Sequence, residues 1–597
     1  MPAHIRKTVV ASLCLALCAD LAQAAVYTDA KHLPSASYDF VIVGAGTAGN
    51  VLASRLTEEG KYSVLVIEAG VTNEGVRNVE VPFLAPQNLP NSSVTWNYTT
   101  VPQTFLNDRY IGYTRGRLLG GSSSINFLGW TRGSNEEYDR WANLTGDEGW
   151  AWNNLAPYYF KTSHLAPSAD HHDPEGQANL TNFGNGPLAV SLPGFPTELD
   201  PLVINTTHTN PEFPFALDVN AGDSIGIGYI QSTIGNGARC SSAIGYLSPA
   251  LGRQNLDVLI HNTVTRLIST GPDQGKPTFK TVEFSTGPTA TRHTVSAKRE
   301  VILSAGSVGT PQILMLSGIG SKTSLSKVGI KSTVDLPDVG QNLHDHPILS
   351  NYWTVTSNET YDDIIRNATN FNRTLAQWQQ TRTGLFTNSP LNTLGFLRIP
   401  GNDSIWKNFT DPSAGPESGH FEFLFGNGYN PAPVPATGNY LTIGTAIVSP
   451  HSVGQITLAS NDPFAFPLID PAFFSSPFDQ LAMLYAIKAA RRFAETAPWD
   501  GFVIERFGPV GTAETDEEIM AAARGAARSI YHPTSTARMS PLNATWGVTD
   551  PQLRVKHVSG LRIVDASTFP SIPAVHPQAA VYTLAERAAD LIKAAWA

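Results

Sequence analysis

Two histidines in this chain are each followed by proline, His532-Pro533 and His576-Pro577. Imidazole titrates near pH 6.5, so it can take or give a proton at about pH 5–8. A proline beside it marks a sharp turn. A second chemistry-bearing pattern lies near the start, Gly44-Ala45-Gly46-Thr47-Ala48-Gly49, with Glu68 further on. Gly44 permits a tight turn, Gly46 lets backbone approach a pyrophosphate, and Gly49 lets helix and strand pack closely. Thr47 and Ala48 open the helix whose N-terminus faces the phosphates. Glu68 is placed to accept hydrogen bonds from a ribose diol, and its charge disfavours a 2′-phosphate.

These residues need elements to hold them. Tyr38–Val43 reads as a strand, then comes the glycine turn, an amphipathic helix to about Glu59, and a second strand, Ser63–Ile67, ending in Glu68. That is the order of a dinucleotide-binding βαβ unit. Arg117–Asn126 is a small-residue run whose backbone can approach a ligand, or else a surface turn. Gly306–Gln312 follows an apolar strand and leads into a helix, with Pro311 near its first position. Gly560–Asp565 is another short strand ending in an acid, and an alanine-rich helix starts at Gln578, beside His576 and Pro577. The positive end of that helix favours negative charge. βα units so far apart imply a discontinuous nucleotide domain. Neither His344-Asp345-His346 nor His171-His172-Asp173 has further ligands at a recognisable spacing, so no metal site is expected.

The chain has 597 residues, 42% hydrophobic and 15% charged, which suits a large folded core rather than a disordered chain. A net charge of −10 without a basic patch argues against nucleic-acid binding. Arg6 and Lys7, the apolar run Thr8–Cys18 and Ala22-Gln23-Ala24 read as a secretory leader over residues 1–24, so a secreted, extracellular protein is expected. No later stretch reaches ~18 apolar residues, and no membrane association is expected. Cleavage leaves Cys240 alone, which excludes an intrachain disulfide. Sequons at Asn91, Asn97, Asn143, Asn179, Asn205, Asn358, Asn367, Asn372, Asn402, Asn408 and Asn543 then become glycosylation candidates. The glycine motif does not separate FAD from NAD. A secreted protein has no dependable supply of NAD, so a retained FAD is the better choice.

Three longer segments resemble the glucose–methanol–choline oxidoreductases: GRLLGGSSSINFLGWTRG from Gly116, GSVGTPQILMLSGIG from Gly306 and LPDVGQNLHDHP from Leu336. The resemblance runs from about Tyr38 to Leu591. Within the family the likeness is to fungal aryl-alcohol oxidases and pyranose dehydrogenases, carried by WNYTTVPQ from Trp96, YHPTSTARMSP from Tyr531 and GVTDPQLRVKHVSGLRIVD from Gly547. Aryl-alcohol oxidases often show His-Tyr where this chain has Asn126-Phe127.

The resemblance implies an α/β fold. A discontinuous Rossmann-like FAD-binding domain (38–90, 110–145, 220–346 and 536–597) would join an α+β substrate domain (146–219 and 347–535) whose sheet covers the flavin. It implies FAD contacts from Gly44, Gly46, Thr47, Ala48, Gly49, Glu68, Gly120, Gly121, Ser122, Asn126, Phe127, Leu128, Val264, Asp565, Ala566, Pro577 and Gln578. FAD is expected to be non-covalent, because Ser124-Ile125-Asn126-Phe127 lacks the histidine to which some relatives attach it. His532 would be the general base for a hydroxyl proton, with hydride passing to flavin N5, and His576 would orient the alcohol oxygen. Phe127, Tyr429 and Tyr531 either line an apolar vestibule, favouring an aromatic or allylic alcohol, or are core aromatics. The expected partners are a small-molecule alcohol and O2 or a quinone, acting on a monomer. A pyranose dehydrogenase or a non-redox protein like the hydroxynitrile lyases remains an alternative.

Overall fold

The computed structural model describes residues 26–89, 92–430 and 433–597. The expected leader and the sequon at Asn91 lie outside them. The glycine turn joins β1 (Ser37–Val43) to helix α1 (Thr47–Thr57), and β2 (Val64–Ile67) follows. Both strands are apolar runs, as expected of parallel strands covered on both faces. They lie in an eight-stranded sheet with β3 (Leu256–Leu259), β4 (Thr263–Asp273), β5 (Lys276–Ser285), β6 (His293–Leu303) and the short strands Val26–Tyr27 and Leu561–Ile563. The order is Val26–Tyr27, β3, β2, β1, β6, β5, β4, with Leu561–Ile563 also on β6. β4, β5 and β6 pair antiparallel; the other pairings are parallel.

The register explains why distant segments share one edge. Val43 pairs with Ile67 and Leu303, and Leu303 with Ile563. The turns after these strands therefore leave the sheet together, at Gly44, Glu68, Ser304 and Asp565. Ligands of open α/β sheets bind outside such carboxyl ends. Helix α2 (Gly306–Leu316) starts here too.

A second sheet contains β7 (Pro347–Val355), β8 (Thr393–Leu397), β9 (Phe421–Gly426), β10 (Tyr440–Ile447) and β11 (Val503–Phe507). Its order is β8-β9-β10-β7-β11, all antiparallel, with Arg528–Ser529 also on β7. Phe421, Phe423 and Phe425 point one way and pack on α3 (Pro477–Ala494) through Met483, Ala486 and Phe493. Strand alternation turns Glu422 and Leu424 to the other face. There Ile348, Leu394, Phe396, Leu424 and Ala446 pack with Ile230, Ala574 and Val575.

The last helix, α4 (Gln578–Ala595), packs on α1; Ala585, Ala588 and Ile592 share a core with Val51, Leu52 and Leu56. Residues 146–219 divide between cores: Trp150, Tyr159 and Val190 pack with β1 and α1, whereas Val203 and Phe213 pack with α3. No described helix is long and apolar enough to cross a membrane.

Candidate active site

A cleft of about 440 Å³ opens at the shared carboxyl edge of the first sheet. Its lining includes Gly44, Gly46, Thr47, Ala48, Glu68, Gly121, Ser122, Val264, Asp565 and Ala566, with Trp96, Arg115, Arg117 and Ser307. Three glycines here have different physical reasons. A Cβ on Gly44 would fall 2.5 Å from the Ser304 carbonyl, at a φ of +100°, and one on Gly49 would fall 2.0 Å from the Gly44 carbonyl. Both are demanded by the protein's own packing. Gly46 is not: its φ is −85°, and a Cβ would meet nothing nearer than Ser304 O at 3.9 Å. The room at Gly46 faces the cleft, which is where a pyrophosphate would need close backbone approach.

The donors suit the same ligand. Gly46 gives α1 no side-chain cap, so the N–H groups of its first turn are free for an anion. Arg117 has a buried Nε with no partner and lies over the Trp96 ring at 4.7 Å. The Glu68 carboxylate accepts the N–H groups of Ala45 (2.9 Å) and Gly70 (2.8 Å), and burial raises its pKa to about 7. Asp565 accepts from the Gly306 N–H (2.9 Å) and the Thr310 hydroxyl (2.6 Å), which ties the last strand to the start of α2. The cleft fits a dinucleotide such as FAD.

The remaining expected contacts, Gly49, Gly120, Asn126, Phe127, Leu128, Pro577 and Gln578, are not among the residues that line the cleft. Gly120 has a φ of +90°. The Asn126 amide donates to Gln578 Oε1 (2.9 Å), and the Gln578 amide donates to the carbonyls of Leu128 (3.0 Å) and Gly129 (2.6 Å). Pro577 occupies the cap position of α4. Arg239 donates to Asn126 Oδ1 at 2.7 Å.

The two expected imidazoles come together. The ring centroids of His532 and His576 are 4.8 Å apart, with planes at 59°. His576 Nε2 lies 2.6 Å from Oε1 of Glu422, a fully buried carboxylate, and its backbone N–H donates to the Thr131 hydroxyl at 3.0 Å. His532 donates its backbone N–H to Asp345 Oδ1 at 2.8 Å, and its ring Nδ1 lies 3.1 Å from Nδ1 of His346. Asp345 also accepts the His346 N–H (2.8 Å) and the Ser529 hydroxyl (2.6 Å). Burial pushes the His532 pKa well below the ordinary imidazole value, and the charges of His576, His346 and Arg115 act in the same direction. The pair adjoins the cleft, because the carbonyl of Pro533 accepts from Ser307 Oγ at 2.7 Å.

Asp345, His346 and Glu422 carry no role in the sequence analysis. Glu422 had a signal: a lone carboxylate inside Phe421–Phe425, an otherwise apolar strand. The three aromatics named for a vestibule have separate surroundings. Phe127 packs on Ala85, Leu128 and Ile234, whereas Tyr429 stacks on Tyr352 at 4.0 Å. Tyr531 has a φ of +67° and its carbonyl accepts from Arg115 (2.7 Å). Among the described residues no ring contact joins these three. The phenylalanine beside His576 is Phe396, at 6.5 Å.

Comparison with known proteins decides the family. The sequence matches the N-terminal GMC oxidoreductase family model over residues 38–348 and the C-terminal one over 450–585. The chain belongs to the GMC oxidoreductases. It is 39% identical to the dehydrogenase eriK of Hericium erinaceus, over 96% of both chains. It is 38% identical to pyranose dehydrogenase 3 of Leucoagaricus meleagris, again over 96% of both. Among solved structures, a variant of the Aspergillus oryzae RIB40 formate oxidase, an enzyme in which FAD modification occurs, superposes with a TM-score of 0.86 and 32% identity. That match covers 94% of this chain and 98% of the other. A fungal aryl-alcohol oxidase gives 0.81 and 26%, covering 94% and 100%. This GMC oxidoreductase therefore has the α/β architecture of its family, with the histidine pair between the two sheets' contributions.

Proposed function

We propose that this GMC oxidoreductase is a secreted, FAD-dependent oxidase that converts a primary aromatic or allylic alcohol to its aldehyde. The observation that carries the reading is the imidazole pair, 4.8 Å between centroids, beside a cleft that fits a dinucleotide. The apolar sheet face made by Ile348, Leu394, Phe396 and Leu424 shares a core with Ala574 and Val575, the residues that lead into His576. The Phe396 ring of this face lies 6.5 Å from the His576 ring, apolar surroundings that support an apolar alcohol over a heavily hydroxylated one.

His532 takes the hydroxyl proton. Its lowered pKa keeps the imidazole neutral and ready to accept in mildly acidic to neutral solution. Glu422 fixes the His576 ring, and Thr131 fixes its backbone, so that this imidazole orients the alcohol oxygen. Bound FAD would supply the two-electron acceptor for the carbinol hydride, and O2 would then be reduced to hydrogen peroxide. The residues that would hold it are those lining the cleft, with Gly46 and the start of α1 at the pyrophosphate and Glu68 at the ribose. Ser124-Ile125-Asn126-Phe127 offers no histidine for attachment, which supports non-covalent binding.

Likeness to a pyranose dehydrogenase over 96% of the chain favours a second reading, sugar oxidation with a quinone acceptor. Anaerobic mixing with benzylic, allylic and sugar alcohols, followed by air, separates them. The oxidase reading expects flavin bleaching by a benzylic or allylic alcohol and peroxide on aeration. Bleaching by sugars alone, with electrons passed only to quinone, favours the second reading. No bleaching by any of them overturns both. Acid precipitation tests the attachment: non-covalent FAD stays in the supernatant.

A further inference from the structure

We infer that His346 is a positioning residue that sets the tautomer of His532, accepting a hydrogen bond from His532 Nδ1–H and leaving His532 Nε2 as the proton-accepting atom. This rests on the reading of His532 as the base. The two Nδ1 atoms are 3.1 Å apart, and their rings meet edge to face at 85°. Two lone pairs at that distance repel, and two N–H groups clash, so one hydrogen lies between the rings. The question is which ring owns it.

The surroundings of His346 answer it. The ring is fully buried, and its Nε2 has no normal hydrogen-bond partner. The backbone acceptor facing this ring is the Val448 carbonyl. His346 Nδ1 is turned to His532, so Nε2 is the nitrogen left to meet that carbonyl; a carbonyl cannot donate, and hydrogen on Nε2 leaves Nδ1 as an acceptor. The other charged or titratable groups around the pair are His344, Asp345, His576 with its partner Glu422, Tyr113, Tyr531 and Arg115. Asp345 spends its oxygens on the two backbone N–H groups and Ser529, so it does not compete for either ring. Burial, with His576 and His344 adding to it, lowers the His346 pKa to about 3, so this partner stays neutral. A carboxylate in the same place would raise the basicity of His532; a neutral imidazole orients it without doing so. In the reaction the substrate O–H bond breaks and an N–H bond forms at Nε2. His532 becomes an imidazolium whose Nδ1–H still points at His346.

Nitrogen NMR of the isotope-labelled holoenzyme tests this directly, with His532 assigned by its loss in His532→Gln. The expected signals are a protonated Nδ1 and a bare Nε2 on His532; the reverse overturns the inference. His346→Leu should lower kcat about 10- to 100-fold, the scale of losing a histidine's orienting partner, with little change in KM. His346→Asn, whose amide oxygen can stand near the Nδ1 position, should recover most of that loss. His346→Asp should move the acid limb of the pH profile upward. Wild-type kcat and pH profile in His346→Leu would also overturn it. The tautomer signal does not depend on turnover. If alcohols are oxidised but the tautomer is reversed, this inference fails alone; if none is oxidised, the functional reading fails.

Discussion

His532 can act as a base only while its imidazole is neutral, so burial has a kinetic consequence. Its pKa lies below 6.5, and the proton that inactivates it binds only as the pH falls through that lowered value. The acid limb of kcat/KM should therefore lie below pH 6.5. A pH profile with its inflection above that value would contradict the assignment. Replacing the base with alanine should cost about 10²- to 10⁴-fold in kcat, the usual contribution of a general base, with FAD still bound. Glu422 acts through its contact with His576. Glu422→Gln keeps an acceptor there but removes the charge, and should lower kcat/KM about tenfold, equivalent to roughly 1.4 kcal/mol.

At the level of elements, the glycine turn separates folding from binding. Gly49→Ala places a methyl group 2.0 Å from the Gly44 carbonyl and should lower the melting temperature. Gly46→Ala meets no protein atom closer than 3.9 Å and should leave the cofactor-free melting temperature unchanged while weakening FAD binding. Differential scanning fluorimetry with a flavin titration distinguishes the two effects. The strand that brings Asp565 to the cleft depends on a buried ion pair: Arg562 meets Glu300 through two hydrogen bonds, of 2.7 and 2.9 Å. Arg562→Leu leaves Glu300 uncompensated and should cost about 3–5 kcal/mol, read by denaturant unfolding. Replacing both with leucine should recover much of it.

On the whole molecule, all five sequons from Asn358 to Asn408 are exposed, as are Asn143, Asn205 and Asn543. Asn97 is half-buried, accepts the Thr95 hydroxyl and lines the cleft. If the chain is secreted as proposed, glycopeptide mass spectrometry should find glycans among the exposed group and none at Asn97. The secreted product should begin at Ala25. An intracellular product that retains residues 1–24 would remove the basis for both expectations.

The glycine turn was legible because its determinants are local. Strand, turn, helix and acid lie within about thirty residues, and tight turns and close packing restrict residue type wherever they occur. Proline likewise marked both histidines. The groups that orient those rings were not legible. Glu422 reaches His576 because β8, β9, β10 and β7 align Phe396, Glu422, Ala446 and Ile348 in one row. Asp345 and His346 reach His532 because the chain before β7 meets the segment after Arg528–Ser529. Strand propensity sets neither register nor partner. Burial of one sheet face against Ala574 and Val575, and of the other against α3, decides them only when the whole chain is folded.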